Sequence, residues 1–173
     1  MRIVAGQFQG RVIKAPAGNL THPMSEKIRG AIFNALGDIE GLAVLDAFTG
    51  SGAIAIEASS RGASSIIAID KSLDAVKCAI SNIKDLGINN IKVTRANVSS
   101  WSDNNLDMKF DVIICDPPYD KVQLDTIKKL EKHLKDKGVF VLSLPPSAIY
   151  SSNFLKVSEK DYNDAKVYFY KNN

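Results

Sequence analysis

Leu42-Ala43-Val44-Leu45-Asp46-Ala47-Phe48-Thr49-Gly50-Ser51-Gly52-Ala53-Ile54-Ala55-Ile56-Glu57 is the stretch whose reading decides the fold. Its first six residues are a short apolar run of strand length. A turn with two glycines follows, then a helical run over Gly52–Arg61 that Gly62 ends. Glycine lets backbone approach a ligand where a Cβ would clash. A helix that begins at such a turn points unpaired N–H groups and its positive end into it. Strand, tight turn and helix in this order open a βαβ unit.

The same alternation continues downstream. Ser65–Asp70 reads as a strand, and Ser72 caps a helix whose Leu73, Val76, Ile80 and Ile83 share one face, with Gly87 as its stop. Ile91–Thr94 and Asp111–Cys115 read as strands, a helix spans about Lys121–Asp136, and Gly138 precedes the strand Val139–Leu144. Pro145-Pro146 closes that pattern, and Phe154–Val157 with Ala165–Tyr170 reads as an antiparallel hairpin on the sheet edge. The expectation is a Rossmann-like α/β fold, a mostly parallel seven-stranded sheet with helices on both faces.

Upstream, residues 1–20 alternate short apolar stretches with glycines and read as a two-stranded ribbon turning near Gln7–Gly10. Ser25 caps a helix with the stripe Ile28, Ala31, Ile32, Ala35 and Leu36, stopped by Gly37. Lys27 and Arg29 fall on its other faces, open to solvent or phosphate. Residues 1–37 are read as an extension and residues 38–173 as the main domain, with no internal repeat or low-complexity segment.

Composition narrows the class. A chain of 173 residues, 45% apolar and 24% charged, suits one globular domain that buries about 70% of its unfolded surface. No apolar stretch nears the ~18 residues of a membrane span, and Met1–Gly6 lacks the apolar core of a signal peptide. A cytoplasmic protein is the expectation. Cys78 and Cys115 read as small buried apolar residues, and His22 and His133 stand far apart without a motif, so no metal or Ser-His-Asp site is expected. Net charge is +3, yet residues 1–30 carry Arg2, Arg11, Lys14, Lys27 and Arg29 against Glu26 alone, a balance of +4. Basic charge concentrated in this way suits a phosphate backbone.

A second motif lies at the end of the strand Asp111–Cys115: Asp116-Pro117-Pro118-Tyr119. Two prolines end the strand in a rigid turn. Asp with Pro is also an ordinary turn composition; what gives the motif weight is the glycine turn upstream. A carboxylate beside a carbonyl accepts two hydrogens from one amino group, and an aromatic ring stacks on a flat heterocycle. That pair of properties suits an exocyclic amine on a base.

The glycine turn lacks a P-loop pattern, and its G-x-G-x-x-A spacing is compatible with a dinucleotide. Asp46 gives a pyrophosphate nothing, whereas a cationic ligand such as the sulfonium and ammonium of S-adenosylmethionine gains from it. Asp70, 18 residues after Gly52, can accept two ribose hydroxyls; a structural use of an acid before a helix fits equally. Asn97, after the third strand, stands where an adenine amine could be read.

D-x-F-x-G-x-G, Asp70 and D-P-P-Y together resemble a class I S-adenosylmethionine-dependent methyltransferase acting on an amino nitrogen. More closely, the chain resembles the RsmD family of small-subunit (16S) rRNA guanine-N2 methyltransferases. Arg2–Gly6 with Gly10-Arg11, Pro23–Arg29 with Ala31–Asn34, and Ser60–Ala63 carry that likeness. The resemblance implies S-adenosyl-L-methionine contacts at Asp46, Phe48, Gly50, Ser51, Gly52, Asp70, Lys71, Asn97 and Val98, and catalysis at Asp116, Pro117, Pro118 and Tyr119. Arg2, Arg11, Lys14, Lys27 and Arg29 would hold the RNA, with no metal and a monomer expected. His22 stands where the family usually has Arg, Met24 for Thr, Asn97 for Asp, and Tyr162-Asn163-Asp164 for Tyr-Gly-Asp.

Alternatives span other classes. A DNA adenine-N6 methyltransferase shares the D-P-P-Y chemistry but needs room for target recognition. A protein-glutamine methyltransferase more often starts this turn with Asn. An RNA-binding module without activity gains nothing from a complete cofactor turn, and a nicotinamide dehydrogenase leaves Asp46 and the Pro-Pro turn unexplained.

Overall fold

Strands and helices alternate from residue 43 onward because apolar runs of five or six residues are punctuated by capped, amphipathic segments. The structure, a computed structural model, describes residues 1–16 and 24–173. His22 therefore lies outside the described residues.

Five parallel strands form the core of one seven-stranded sheet: β1 (Ala43–Ala47), β2 (Ser65–Asp70), β3 (Ile91–Arg95), β4 (Phe110–Cys115) and β5 (Leu134–Leu144). β6 (Leu155–Asp161) and β7 (Lys166–Lys171) form the expected antiparallel hairpin, and β7 pairs antiparallel with β5. The order across the sheet is β3-β2-β1-β4-β5-β7-β6. β1 and β4 are buried almost throughout, as strands covered on both faces must be.

Helix α1 (Glu26–Leu36) begins at Ser25, whose side chain accepts from the Ile28 N–H (3.2 Å), and ends at Gly37 with φ 76°. Its residues Ile28, Ile32 and Phe33 pack on one face of the sheet with Val44, Val112 and Val141. Helix α2 (Ala53–Ser60) is buried along its whole length. Helix α3 (Leu73–Asp85) starts at Ser72, whose hydroxyl accepts from the Ala75 N–H (3.3 Å). The opposite sheet face packs Leu45, Ile113 and Leu142 against Trp101, Ile127 and Leu130.

Several expectations need correction. The buried face of α3 runs through Ala75, Val76, Ala79, Asn82 and Ile83, while Leu73 and Ile80 are exposed. Small residues are needed there because α3 lies close against the turn at Gly52. A further helix, α4 (Val98–Asn104), starts at Asn97. The helix expected over 121–136 is shorter, α5 (Leu124–Leu130), passing into one 3-10 turn at Glu131–His133. His133 is buried there: its Nδ1–H donates to the Met108 carbonyl (2.9 Å) and its Nε2 meets the Ser102 hydroxyl (2.9 Å). Leu134 then pairs with Phe110, so the chain is already in β5 where the sequence pattern still read as helix. Cys115 is buried as expected, but Cys78 is only half-buried.

The amino-terminal ribbon contracts to a single antiparallel bridge, Arg2 with Val12, flanked by Ile3 N–H to Arg11 carbonyl (3.0 Å) and Ile13 N–H to Met1 carbonyl (2.9 Å). Four of its other amides bond to α2, those of Val4 and Ala5 to Glu57 and those of Gln7 and Phe8 to Ser60. Gln7 N–H donates to the Ser60 carbonyl (2.8 Å) and Phe8 N–H to the Ser60 hydroxyl (2.9 Å). Ile3 and Ile13 join Ile56 and Ile83 in a small cluster of their own. No described helix is long and apolar enough to cross a membrane.

Candidate active site

The sheet order reverses between β1 and β4, which leave the sheet in the same direction with Ala47 level with Cys115. In an open α/β sheet this is where a crevice opens at the carboxyl ends of the strands. The residues that follow them, the turn 48–52 and Asp116-Pro117-Pro118-Tyr119, therefore emerge side by side.

The glycine turn carries left-handed backbone at Phe48 (φ 73°), Gly50 (φ 54°) and Gly52 (φ 82°). For Phe48 that conformation costs on the order of 1–3 kcal/mol and needs support from its surroundings. Thr49 N–H donates to the Ile69 carbonyl (2.8 Å), Gly50 N–H to Asp70 Oδ2 (2.9 Å), and Gly52 N–H back to the Thr49 carbonyl (2.8 Å). The two glycines serve different purposes. A Cβ on Gly52 would lie 3.2 Å from the Ala79 Cβ, so this residue lets α3 pack close, whereas a Cβ on Gly50 would meet nothing within 4 Å. Gly50 is the one that borders open space.

Asp46 lies fully buried beneath this turn. Its Oδ2 accepts from the Thr49 hydroxyl (2.5 Å) and from Ala55 N–H (3.1 Å), tying the turn to the first residues of α2. Its Oδ1 has no hydrogen-bond partner among the described residues. Burial pushes the carboxyl up to about 7; the Thr49 and Ala55 bonds oppose this, and the charges of Asp116 and Asp70 add to it. An unpaired buried acceptor is costly, and a cationic or donating ligand would relieve it. Asp70 bridges the turn and α3, its Oδ2 accepting from Gly50 and its Oδ1 from Ser72 N–H (2.9 Å each). Each oxygen keeps a second lone pair for a ligand hydroxyl. An orphaned acid oxygen, open space at Gly50 and an acid with spare lone pairs fit a ligand with a cationic group and a ribose. S-adenosylmethionine is such a molecule.

Lys71 and Asn97 are exposed and Val98 is buried. Asn97 Oδ1 already accepts from Ser99 N–H (2.9 Å) and Ser100 N–H (3.4 Å) as the cap of α4. The oxygen expected to accept from an adenine amine is thus shared with the helix. Ser51 is buried, and its carbonyl accepts from Asn82 Nδ2 (2.9 Å). Asn82 also accepts from Lys14 N–H (2.9 Å) and donates to the Lys14 carbonyl (3.0 Å), so one amide joins the glycine turn to the amino-terminal segment.

In the second motif, Pro117 is buried and Asp116 and Pro118 are partly so. Tyr119 opens a 3-10 turn to Lys121, and the residue is 37% exposed. The Tyr119 hydroxyl meets Ser143 Oγ of β5 at 2.5 Å. Burial pushes the Asp116 carboxyl up to about 6, hydrogen bonds with Ser143 and Tyr119 pull it back, and the charge of Asp164 adds to the rise. Burial, then the Asp116 charge, also raises the Tyr119 hydroxyl. Ser143 was missed in the sequence reading. Its signal was a lone hydroxyl inside the apolar run Val139-Phe140-Val141-Leu142-Ser143-Leu144.

Of the five basic candidates, Arg2, Arg11, Lys14 and Lys27 are exposed. Lys14 pairs with Asp85 (2.8 Å) at the surface. Arg29 is a correction: its side chain is fully buried, pairs with Glu57 through Nε (3.4 Å) and bonds the Arg2 carbonyl. The side of α1 that carries Arg29 is covered by the amino-terminal segment and α2, so Arg29 cannot reach RNA in this fold, whereas Lys27 on another side stays exposed.

The profile of a family described as conserved hypothetical protein 95 matches residues 1–171. YlbH of Bacillus subtilis (strain 168), provisionally named an rRNA methyltransferase, is 35% identical over 149 residues, covering 83% of this chain and 81% of that protein. Ribosomal RNA small subunit methyltransferase D of Buchnera aphidicola (subspecies Acyrthosiphon pisum) is 31% identical over 176 residues, covering 97% and 91%. The solved structure of Escherichia coli yhhF, provisionally named a methyltransferase, matches with a TM-score of 0.85 at 27% identity, covering 99% of this chain and 97% of that one.

Proposed function

The chain belongs to the family described as conserved hypothetical protein 95, the RsmD family, and from that premise we propose that it transfers a methyl group from S-adenosylmethionine to the N2 amine of a guanine in small-subunit rRNA. The observation that carries this reading is the emergence of the Asp46–Gly52 turn and the Asp116–Tyr119 turn side by side from β1 and β4.

Asp46, with its unpartnered Oδ1, would meet the cationic part of the cofactor, and Asp70 the ribose hydroxyls. Gly50 leaves room for close approach. When bound, S-adenosylmethionine supplies an electrophilic methyl group, which the amine nitrogen takes as the carbon–sulfur bond breaks toward sulfur. The Asp116 carboxylate and the Pro117 carbonyl accept the two N–H groups of the amine, localising a lone pair otherwise delocalised into the ring. Pro118 lacks the N–H that would compete for a neighbouring carbonyl. Asp116 then faces the positive charge that develops on nitrogen, a stabilisation specific to the transition state, and takes up the proton that nitrogen sheds. The Tyr119 ring stacks on the base, worth about 1–3 kcal/mol, and its bond to Ser143 limits its rotation. Arg2, Arg11, Lys14 and Lys27 hold the RNA backbone, within an extension spanning residues 1–37. A monomer in the cytoplasm is the form this reading assigns.

The test is tritiated methyl transfer to unmodified ribosomal subunits, followed by nucleoside analysis. N2-methylguanosine in the small-subunit rRNA is expected. Transfer to an adenine amine keeps the chemistry and discards the substrate, and no transfer in the presence of bound cofactor overturns the reading.

A further inference from the structure

Methyl transfer as derived uses one carboxylate beyond the cofactor turn, but a second one stands at the same edge of the sheet. β7 runs antiparallel to β5 with Lys166 level with Leu144 and Val167 level with Ser143. β4 runs parallel to β5 with Cys115 level with Leu142. The turn between β6 and β7, closed by Tyr162 N–H to the Ala165 carbonyl (2.8 Å), thus reaches the edge from which Asp116 emerges. Adjacent strands lie about 4.8 Å apart, so β7 is roughly 10 Å from β4, a distance that two side chains reaching toward each other narrow to the spacing of neighbouring donors on one base edge.

Asp164 sits in this turn, exposed. Among the described residues it makes no hydrogen bond and no ion pair, in contrast to its neighbour Asp161, which pairs with Lys166 (3.2 Å). Its charge acts on both Asp116 and Tyr119, as the position of this turn at the same edge requires.

We propose that Asp164 accepts the N1–H of the target guanine and thereby selects guanine among bases that carry an exocyclic amine. This inference rests on the methyl-transfer reading above. Guanine presents N1–H beside its N2 amine, two donors on one edge. Adenine presents a lone pair at N1, which a carboxylate repels. A base held with its amine at Asp116 and Pro117 and its N1 edge away from β1 faces the end of β5 and, beyond it, the β6–β7 turn. Sites that hydrogen-bond a substrate group reject analogues lacking it more strongly than apolar pockets do.

The discriminating probe is 2-aminopurine, which keeps the C2 amine but has an unprotonated N1. Rates of methylation (kcat/KM) are compared for RNA carrying guanine or 2-aminopurine at the methylated position, with wild type, Asp164→Ala and Asp164→Asn. Because the two bases differ in intrinsic nucleophilicity, the readout is the change of their ratio between proteins. Asp164→Ala is expected to shrink the preference for guanine roughly 10- to 100-fold, the size of one hydrogen bond to a charged group. Asp164→Asn, which keeps a carbonyl acceptor, should retain part of it. An unchanged ratio in Asp164→Ala, with methylation intact, overturns the inference alone. Absence of methylation by the wild-type protein overturns the underlying reading and this inference with it.

Discussion

Arg29 and Glu57, 28 residues apart, form an ion pair at 3.4 Å with both side chains fully buried. The Glu57 carboxylate also accepts from Val4 N–H (2.8 Å), Ala5 N–H (3.0 Å) and Arg61 Nε (2.9 Å). A single acid in α2 therefore fastens the amino-terminal segment and α1 to the body of the sheet. Breaking a buried pair is costly because the remaining charge is stranded, whatever the net worth of the intact pair.

Arg29→Ala should lower the unfolding free energy by about 3–5 kcal/mol, read by urea denaturation. A phosphate-binding arginine would behave otherwise: RNA affinity would fall with stability unchanged. Lys27→Ala, on the exposed face of α1, is the control for that second pattern.

Asp116→Asn should cut the methylation rate by roughly 10²–10³-fold, in line with loss of one preorganised polar contact to a transition state. Cofactor affinity by calorimetry should change little. The wild-type rate should rise with pH through an apparent pKa near 6, since burial lifts Asp116 to about 6 and only the ionised form can accept an N–H of the amine and then take up its proton. A rate flat from pH 5 to 8 contradicts this role.

Gly50→Ala and Gly52→Ala separate two uses of glycine. Both bring a Cβ into left-handed backbone, at about 1–2 kcal/mol. Gly52→Ala adds a 3.2 Å contact with Ala79 and should melt at the lower temperature of the two. Gly50→Ala should show the larger loss of cofactor affinity relative to its loss of stability. The reverse ranking contradicts the assignment.

Asp46→Asn should gain stability relative to wild type as pH rises from about 4 to about 7, followed by melting temperature. Burial holds the folded carboxyl at about 7, above the ordinary 3.8, so the folded state binds the proton more tightly than the unfolded chain. Ionisation therefore costs stability as pH rises through that window, and the amide does not ionise. A constant difference across the window contradicts the raised value.

Much of the candidate site was legible because it is encoded in local chemistry. Ser25 and Ser72 cap the helices they precede, and Asp70 and Asp116 end the strands whose β-branched runs announce them. Elsewhere a local pattern was overruled by contacts from far along the chain. Leu73 and Ile80 repeat with helical spacing, yet α3 turns Ala79 to the glycine turn because Gly52 leaves room only for a methyl group. Residues 131–136 carry helix-forming side chains, but the buried bonds of His133 to Met108 and Ser102 divert the chain into β5.

By itself the sequence determined the α/β alternation, the seven strands and the two turns of the candidate site. Strand length, glycine and proline act within a few residues, and their effects do not wait for the rest of the fold. Only the tertiary structure decided which charged side chains face solvent and which are buried. Arg29, Glu57 and Ser143 obtain their surroundings from partners on other elements, and burial of a charge depends on neighbours that no local spacing specifies.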